Sequence, residues 1–318
     1  MSETPEIHGQ CDPKFERVRE AFAENFEKRG ELGAGVAVTI GGKSVIDLWG
    51  GHLDSKKATS WEKDTLVNVY STTKGITALC AHRLADQGKL DFDAPVASYW
   101  PEFAAEGKEN IPVRWLLSHQ AGLPAVRKVL PAEHLFNFET MAAHLAAEKP
   151  WWEPGTKHGY HAVTFGWLVG EVIRRVSGKT PGNYFASEIA APLGADFHIG
   201  MDASMHARAA RMKAAPMGTK PPEGQPSLMD IMMKEPTGVT GRAFMNPPSM
   251  ARPGVVNTPE WRSAELPAAN GHCTARALAS IYGCAAGVET NGFRIFSDAQ
   301  IPKCYEEQAF GPDEVLRI

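Results

Sequence analysis

The sequence predicts an α+β fold in which an antiparallel sheet packed by helices is joined to a mainly helical region. Three observations carry this. Two strand-like runs flank Gly41-Gly42, a residue pair favoured in tight hairpin turns. Apolar residues then recur at helical spacing through Ile76, Leu79, Cys80 and Leu84. They do so again through Phe165, Leu168, Val169, Val172, Ile173 and Val176, a clean amphipathic stripe.

The elements follow in order. Asp12-Pro13, with Phe15, Val18, Phe22 and Phe26 behind it, predicts a capped amphipathic helix with proline in its first turn, ending at Gly30. From Gly33 to Gly51 the period changes, with Val36–Ile40 and Lys43–Trp49 as the hairpin strands. A loop containing Trp61 leads to a short extended run, Leu66–Tyr70, and then to Ser71. The helix beginning there closes at Gly88. A short helix is expected over Val113–Ser118. Pro154-Gly155 introduces the Phe165–Val176 helix, which ends at Gly178, and Thr274–Gly287 reads as one more. From about 201 to 260 the chain is rich in Met and Pro with little periodicity, which fits either surface cover or an apolar lid over a pocket. The expected organisation is a single domain over 1–318. It comprises a helix and hairpin (12–60), a helical region (61–200), an irregular cover (201–260) and a return to the α/β part (261–318).

Composition narrows the function. Hydrophobic residues at 43% and charged residues at 22% describe an ordinary globular chain. A formal net charge of −4 and the absence of any Lys/Arg block argue against a nucleic-acid partner. No apolar run has the length a membrane span requires, and the acidic N-terminus shows no apolar signal-peptide core. The five cysteines, Cys11, Cys80, Cys273, Cys284 and Cys304, are scattered without a C-x-x-C and fit reduced thiols. A cytoplasmic protein is expected, without cofactor or metal, since no H-x-x-H or H-E-x-x-H spacing occurs.

The chemistry centres on Ser71-Thr72-Thr73-Lys74. At about 100° per residue, positions three apart share one helical face. An amine placed there reaches a serine hydroxyl without help from the rest of the fold. The helix N-terminus also disfavours positive charge, so it favours the neutral amine that a proton acceptor must be. Ser60-Trp61-Glu62-Lys63 has the same spacing, but it is polar and loop-like with no apolar helix behind it, and is set aside.

With these elements placed, the chain resembles the serine β-lactamase/penicillin-binding-protein superfamily, in particular its class C-like esterase branch, the family VIII esterases. The resemblance runs from about Phe15 onward. It rests on Val69-Tyr70-Ser71-Thr72-Thr73-Lys74, on Arg114-Trp115-Leu116-Leu117-Ser118-His119-Gln120-Ala121-Gly122-Leu123-Pro124, on Pro154-Gly155-Thr156-Lys157-His158-Gly159-Tyr160-His161, and on Pro192-Leu193-Gly194. It implies a β-lactamase/transpeptidase-like fold, with Ser71 as nucleophile and its backbone N–H as part of an oxyanion hole. The family's Y-x-N element maps onto Tyr160-His161-Ala162. Either Lys74 or Tyr160 serves as the base, and a tyrosine, with an ordinary pKa near 10, does so only beside cations. Ala162 stands where the lactamases carry an amide side chain, which tilts the reading toward esters.

Blander readings stand beside these. Ser71 is a plain helix cap on spacing alone, and His119 and His161, with no acid placed to support them, read as structural. The family's third element, a K-T-G or H-G-G segment on a cleft strand, is not found after Thr274–Gly287. The expectation is therefore a truncated hydrolase whose hairpin lacks sheet partners and whose oxyanion hole lacks a donor, with impaired turnover. The leading function is hydrolysis of short-chain carboxylic esters through an acyl-enzyme. The alternatives are a β-lactamase or D-amino-acid peptidase, or a non-catalytic remnant or binding protein with the same scaffold. The partner is a small ester or amide substrate, and nothing marks an oligomeric state.

Overall fold

A computed structural model describes residues 5–214 and 227–318. Strands β1 (Ile7–Cys11), β2 (Gly33–Ile40) and β3 (Lys43–Gly51) form an antiparallel sheet in the order β1-β3-β2. The β2–β3 turn works because Gly41 and Gly42 adopt φ of +55° and +79°, a region open to glycine. Register pairs Val36 with Leu48 and Val38 with Ile46. Those residues face α1 (Glu16–Lys28) and pack on its Phe22 with Phe15, Val18 and Phe26. Alternate residues face the opposite way, so Asp47 meets Arg276 at 2.7 Å on the C-terminal helix described below.

β1 was not foreseen, and the hairpin is therefore not a bare ribbon. Ile7-His8-Gly9-Gln10-Cys11 has only its ends partly buried and no alternation to betray a strand. Its pairing with β3 along the full length of the segment supplies what the local sequence does not. Among the described residues no strand pairs with the outer edge of β2.

The helical region is built around α2 (Thr72–Asp86), whose Ile76, Leu79, Cys80 and Leu84 are all buried. It follows β4 (Val67–Asn68). Next come α3 (Val113–Leu117), α4 (Phe138–Ala147), α5 (Thr164–Ser177), and α6 and α7 (Pro181–Phe185 and Ala191–Leu193) joined by a π-turn. α5 packs on α2 and is buried along most of its length. Its one deep charge, Glu171, is bonded by Arg174 and Arg175.

Residues 201–260 are more ordered than their composition suggests, with short helices α8 (Leu228–Lys234), α9 (Val239–Met245) and α10 (Pro259–Ser263). Part of that stretch, 215–226, lies outside the described residues. Strands β5 (Phe197–His198) and β6 (His272–Cys273) join β4 in a second small sheet, order β4-β6-β5. α11 (Ala275–Ala285) then packs on β2. Of 261–318, α11 thus lies on the large sheet, whereas the segment after it runs along the helical part: Arg83 donates to the Ile295 carbonyl, and Asp313 bridges to His158.

Candidate active site

Ser71 precedes the first residue of α2 in αR conformation, yet its hydroxyl makes no capping hydrogen bond. Tyr70 before it is held at φ +43°, a strained conformation for a non-glycine residue, of the kind that costs roughly 1–3 kcal/mol and is held by its surroundings. Those surroundings are visible. The Thr73 hydroxyl donates to the Tyr70 carbonyl at 2.5 Å and accepts from the Gly271 N–H at 2.8 Å, and Tyr70 bridges to Asn270. In the same turn Gly75 leaves room for Tyr282 of α11, whose Oη lies 2.0 Å from where a Cβ would stand, so a larger residue would require that side chain to move.

The freed hydroxyl points between two partners. Lys74 Nζ lies 3.2 Å from Ser71 Oγ, and the Tyr160 hydroxyl lies 2.5 Å from it. Lys74 is 8% exposed, and its amine also donates to the carbonyls of Ala162 (2.7 Å) and Ala268 (3.0 Å). A neutral amine has two N–H bonds and one lone pair. With both N–H groups on carbonyls, the lone pair is left for the serine proton. Burial lowers the Lys74 pKa to about 7, which populates this neutral form near neutrality. The Tyr160 ring lies 4.7 Å from the same nitrogen. Among the described residues, nothing bonds the Ser71 N–H.

The three residues singled out in the sequence therefore come together, and the rival Ser60–Lys63 stretch is not helical. The two histidines serve elsewhere. His161 is fully buried; its Nδ1 donates to the Gly159 carbonyl (2.6 Å) and its Nε2 accepts from the Leu123 N–H (3.0 Å). Burial holds it neutral, with a pKa of about 4. His119 accepts from the His161 N–H and sets its ring edge-on to Tyr160 at 5.4 Å.

Sequence reasoning missed Asp313. Its carboxylate accepts the Tyr160 N–H on both oxygens (3.1 and 3.0 Å) and folds its own turn through the Val315 and Leu316 N–H groups (2.8 and 2.7 Å). Val315 behind it is fully buried beside Trp152, Tyr160 and Phe244. The only local signal was Gly-Pro-Asp, a turn-forming string.

Ser71 and Tyr160 open on a cleft of about 560 Å³ lined by Ala162, Val163, Phe244, Met250, Val255, Val256 and Trp261 among others. One wall is thus drawn from the Met/Pro-rich stretch. No group of three or more His, Cys, Asp or Glu is placed to hold a metal among the described residues, and no described helix is long and apolar enough to cross a membrane.

The profile of the family described as Beta-lactamase matches residues 18–316. The chain belongs to the beta-lactamase family. Within it, the esterase/beta-lactamase LipL of Mycobacterium tuberculosis is 37% identical over 311 residues, 92% of this chain and 67% of LipL. The crystal structure of a family VIII carboxylesterase superposes with a TM-score of 0.86 at 40% identity, covering 98% of this chain and 80% of that one. A penicillin-binding protein homologue from Caulobacter crescentus gives 0.86 at 38%, with the same coverage. This beta-lactamase-family chain spans only part of each relative's length, and its kinship is with serine hydrolases of the esterase and β-lactamase type.

Proposed function

We propose that this chain is a serine carboxylesterase acting on short-chain esters through an acyl-enzyme on Ser71. The observation that carries the reading is the placement of Ser71 Oγ, which caps no helix and sits between Lys74 Nζ at 3.2 Å and the Tyr160 hydroxyl at 2.5 Å. Neutral Lys74 takes the serine proton as Oγ attacks the ester carbonyl carbon. The Ser71 N–H receives the resulting oxyanion. Collapse breaks the bond to the alcohol oxygen, which leaves with a proton supplied through Tyr160. Water then attacks the acyl carbon by the same route and releases the acid and free Ser71.

Lys74 is preferred as the base because its two N–H positions are taken by carbonyls and its pKa is lowered to about 7. Ester is preferred to lactam because position 162 offers a methyl group and a backbone carbonyl where an amide side chain would bind the lactam. The test is turnover of p-nitrophenyl butyrate beside nitrocefin, with fluorophosphonate labelling located by peptide mass spectrometry. Butyrate turnover with the adduct on Ser71 is expected. Nitrocefin as the better substrate would move the reading to a β-lactamase, and absence of any Ser71 adduct would leave a non-catalytic scaffold.

A further inference from the structure

The cleft beside Ser71 is one-sided in charge. Its walls are mostly apolar, among the described residues no aspartate or glutamate lines it, and two cations, Lys213 and Arg252, do. Both are exposed. Elsewhere Arg276 and Arg317 are held by Asp47 and Glu235, but no carboxylate among the described residues pairs with Lys213 or Arg252. The chain as a whole carries −4, so this cationic rim runs against the overall charge.

The rim is also built. The Asn257 side chain accepts the Met212 N–H at 2.8 Å and donates to the Met212 carbonyl at 2.9 Å. That two-point clamp fixes the segment bearing Lys213 against the turn that follows Arg252. Two cations on the lining of one cleft, one of them an Arg fork, suit a carboxylate. Phe244, Met250 and Val256 line the same cleft as Ser71 and the two cations, and such apolar walls suit the hydrocarbon of an acyl chain.

We propose that this cleft takes acyl compounds bearing a carboxylate, received by Arg252 and Lys213, so that its esters are hemiesters of dicarboxylic acids. For turnover this rests on the esterase reading above; for binding it does not. The first measurement is the ratio of kcat/KM for mono-p-nitrophenyl glutarate to that for p-nitrophenyl butyrate, in the wild type and in the K213M/R252M double variant. Exposed ion pairs are individually weak, so a ratio of about five to ten is expected, falling toward one in the double variant and in high salt. The second measurement needs no chemistry: calorimetric titration with 5-phenylpentanoate against 5-phenylpentanamide. The carboxylate should bind more tightly by a similar factor, and the double variant should lose the difference. Equal binding of acid and amide by the wild type, or a preference that survives the double variant, overturns the proposal. If neither ester turns over but the acid is still preferred, the esterase reading has failed and the carboxylate site stands.

Discussion

Two buried lysines in this molecule solve the same problem differently. Lys108 is fully buried and donates to three carbonyls, Ala105 (2.7 Å), Ala146 (3.0 Å) and Glu148 (2.6 Å), the last two at the C-terminal end of α4. Three carbonyls need three N–H donors, which only the ammonium has, and a helix C-terminus favours positive charge. Lys74 sits in the first turn of α2, at the opposite pole of a helix, with two carbonyls and a hydroxyl. Burial lowers both pKa values, but at Lys108 the Glu106 and Glu148 carboxylates oppose it. The difference teaches that burial alone does not make a base. The third partner decides: a carbonyl holds the proton on nitrogen, whereas a hydroxyl has a proton to give.

The contrast can be broken at its strongest point first. S71A should lower ester turnover by at least about 10⁴-fold, read as kcat with p-nitrophenyl butyrate, because no second nucleophile lies between Lys74 and Tyr160. K74M should cost about 10²–10⁴-fold while the protein still unfolds cooperatively, and Y160F should fall in the same range. Next comes pH. Lys74 must be neutral to accept the proton, and its pKa is about 7. Wild-type kcat/KM should therefore rise with pH through that value, losing about tenfold for each pH unit below it. A flat profile from pH 5 to 9 would remove Lys74 as the base. D313N should lower kcat by about tenfold with little change in KM, since it loosens the Tyr160 backbone rather than the cleft walls. The smallest effect on activity is expected at the other lysine. K108M should cost about 1–3 kcal/mol of stability by stranding carbonyls, yet leave turnover per folded molecule unchanged. Loss of turnover in K108M at an unchanged Tm would erase the distinction.

What the sequence made legible was local. The hairpin, α1, α2, α5 and α11 announce themselves through period and punctuation, and Ser71 with Lys74 through three-residue spacing. Tyr160 was reachable through linked motifs rather than any periodicity of its own. One local element, α4 (Phe138–Ala147), was missed although Asn137 caps it; the other missed features are mostly pairings between distant segments. β1 has no alternation to read, and β5 and β6 are two residues each, too short for any pattern, whereas β4 falls within the extended run Leu66–Tyr70 that the sequence predicts. Asp313 reaches Tyr160 across 153 positions, a contact that propensity does not encode. The lowered pKa of Lys74 was equally invisible in detail, because the burial that causes it is completed by segments 88 and 194 residues away.

Those separations bear on the order in which the protein acquires reactivity. Ser71 and Lys74 leave the ribosome almost together, but Ala268 and Asp313 follow much later. Until the Ala268 segment docks on it, Lys74 is more solvated, stays protonated at neutral pH and leaves the serine inert. Contacts of such long range form slowly. On refolding, fluorophosphonate reactivity should lag behind recovery of the helical signal, so the growing chain is shielded from acylation by its own unfinished topology.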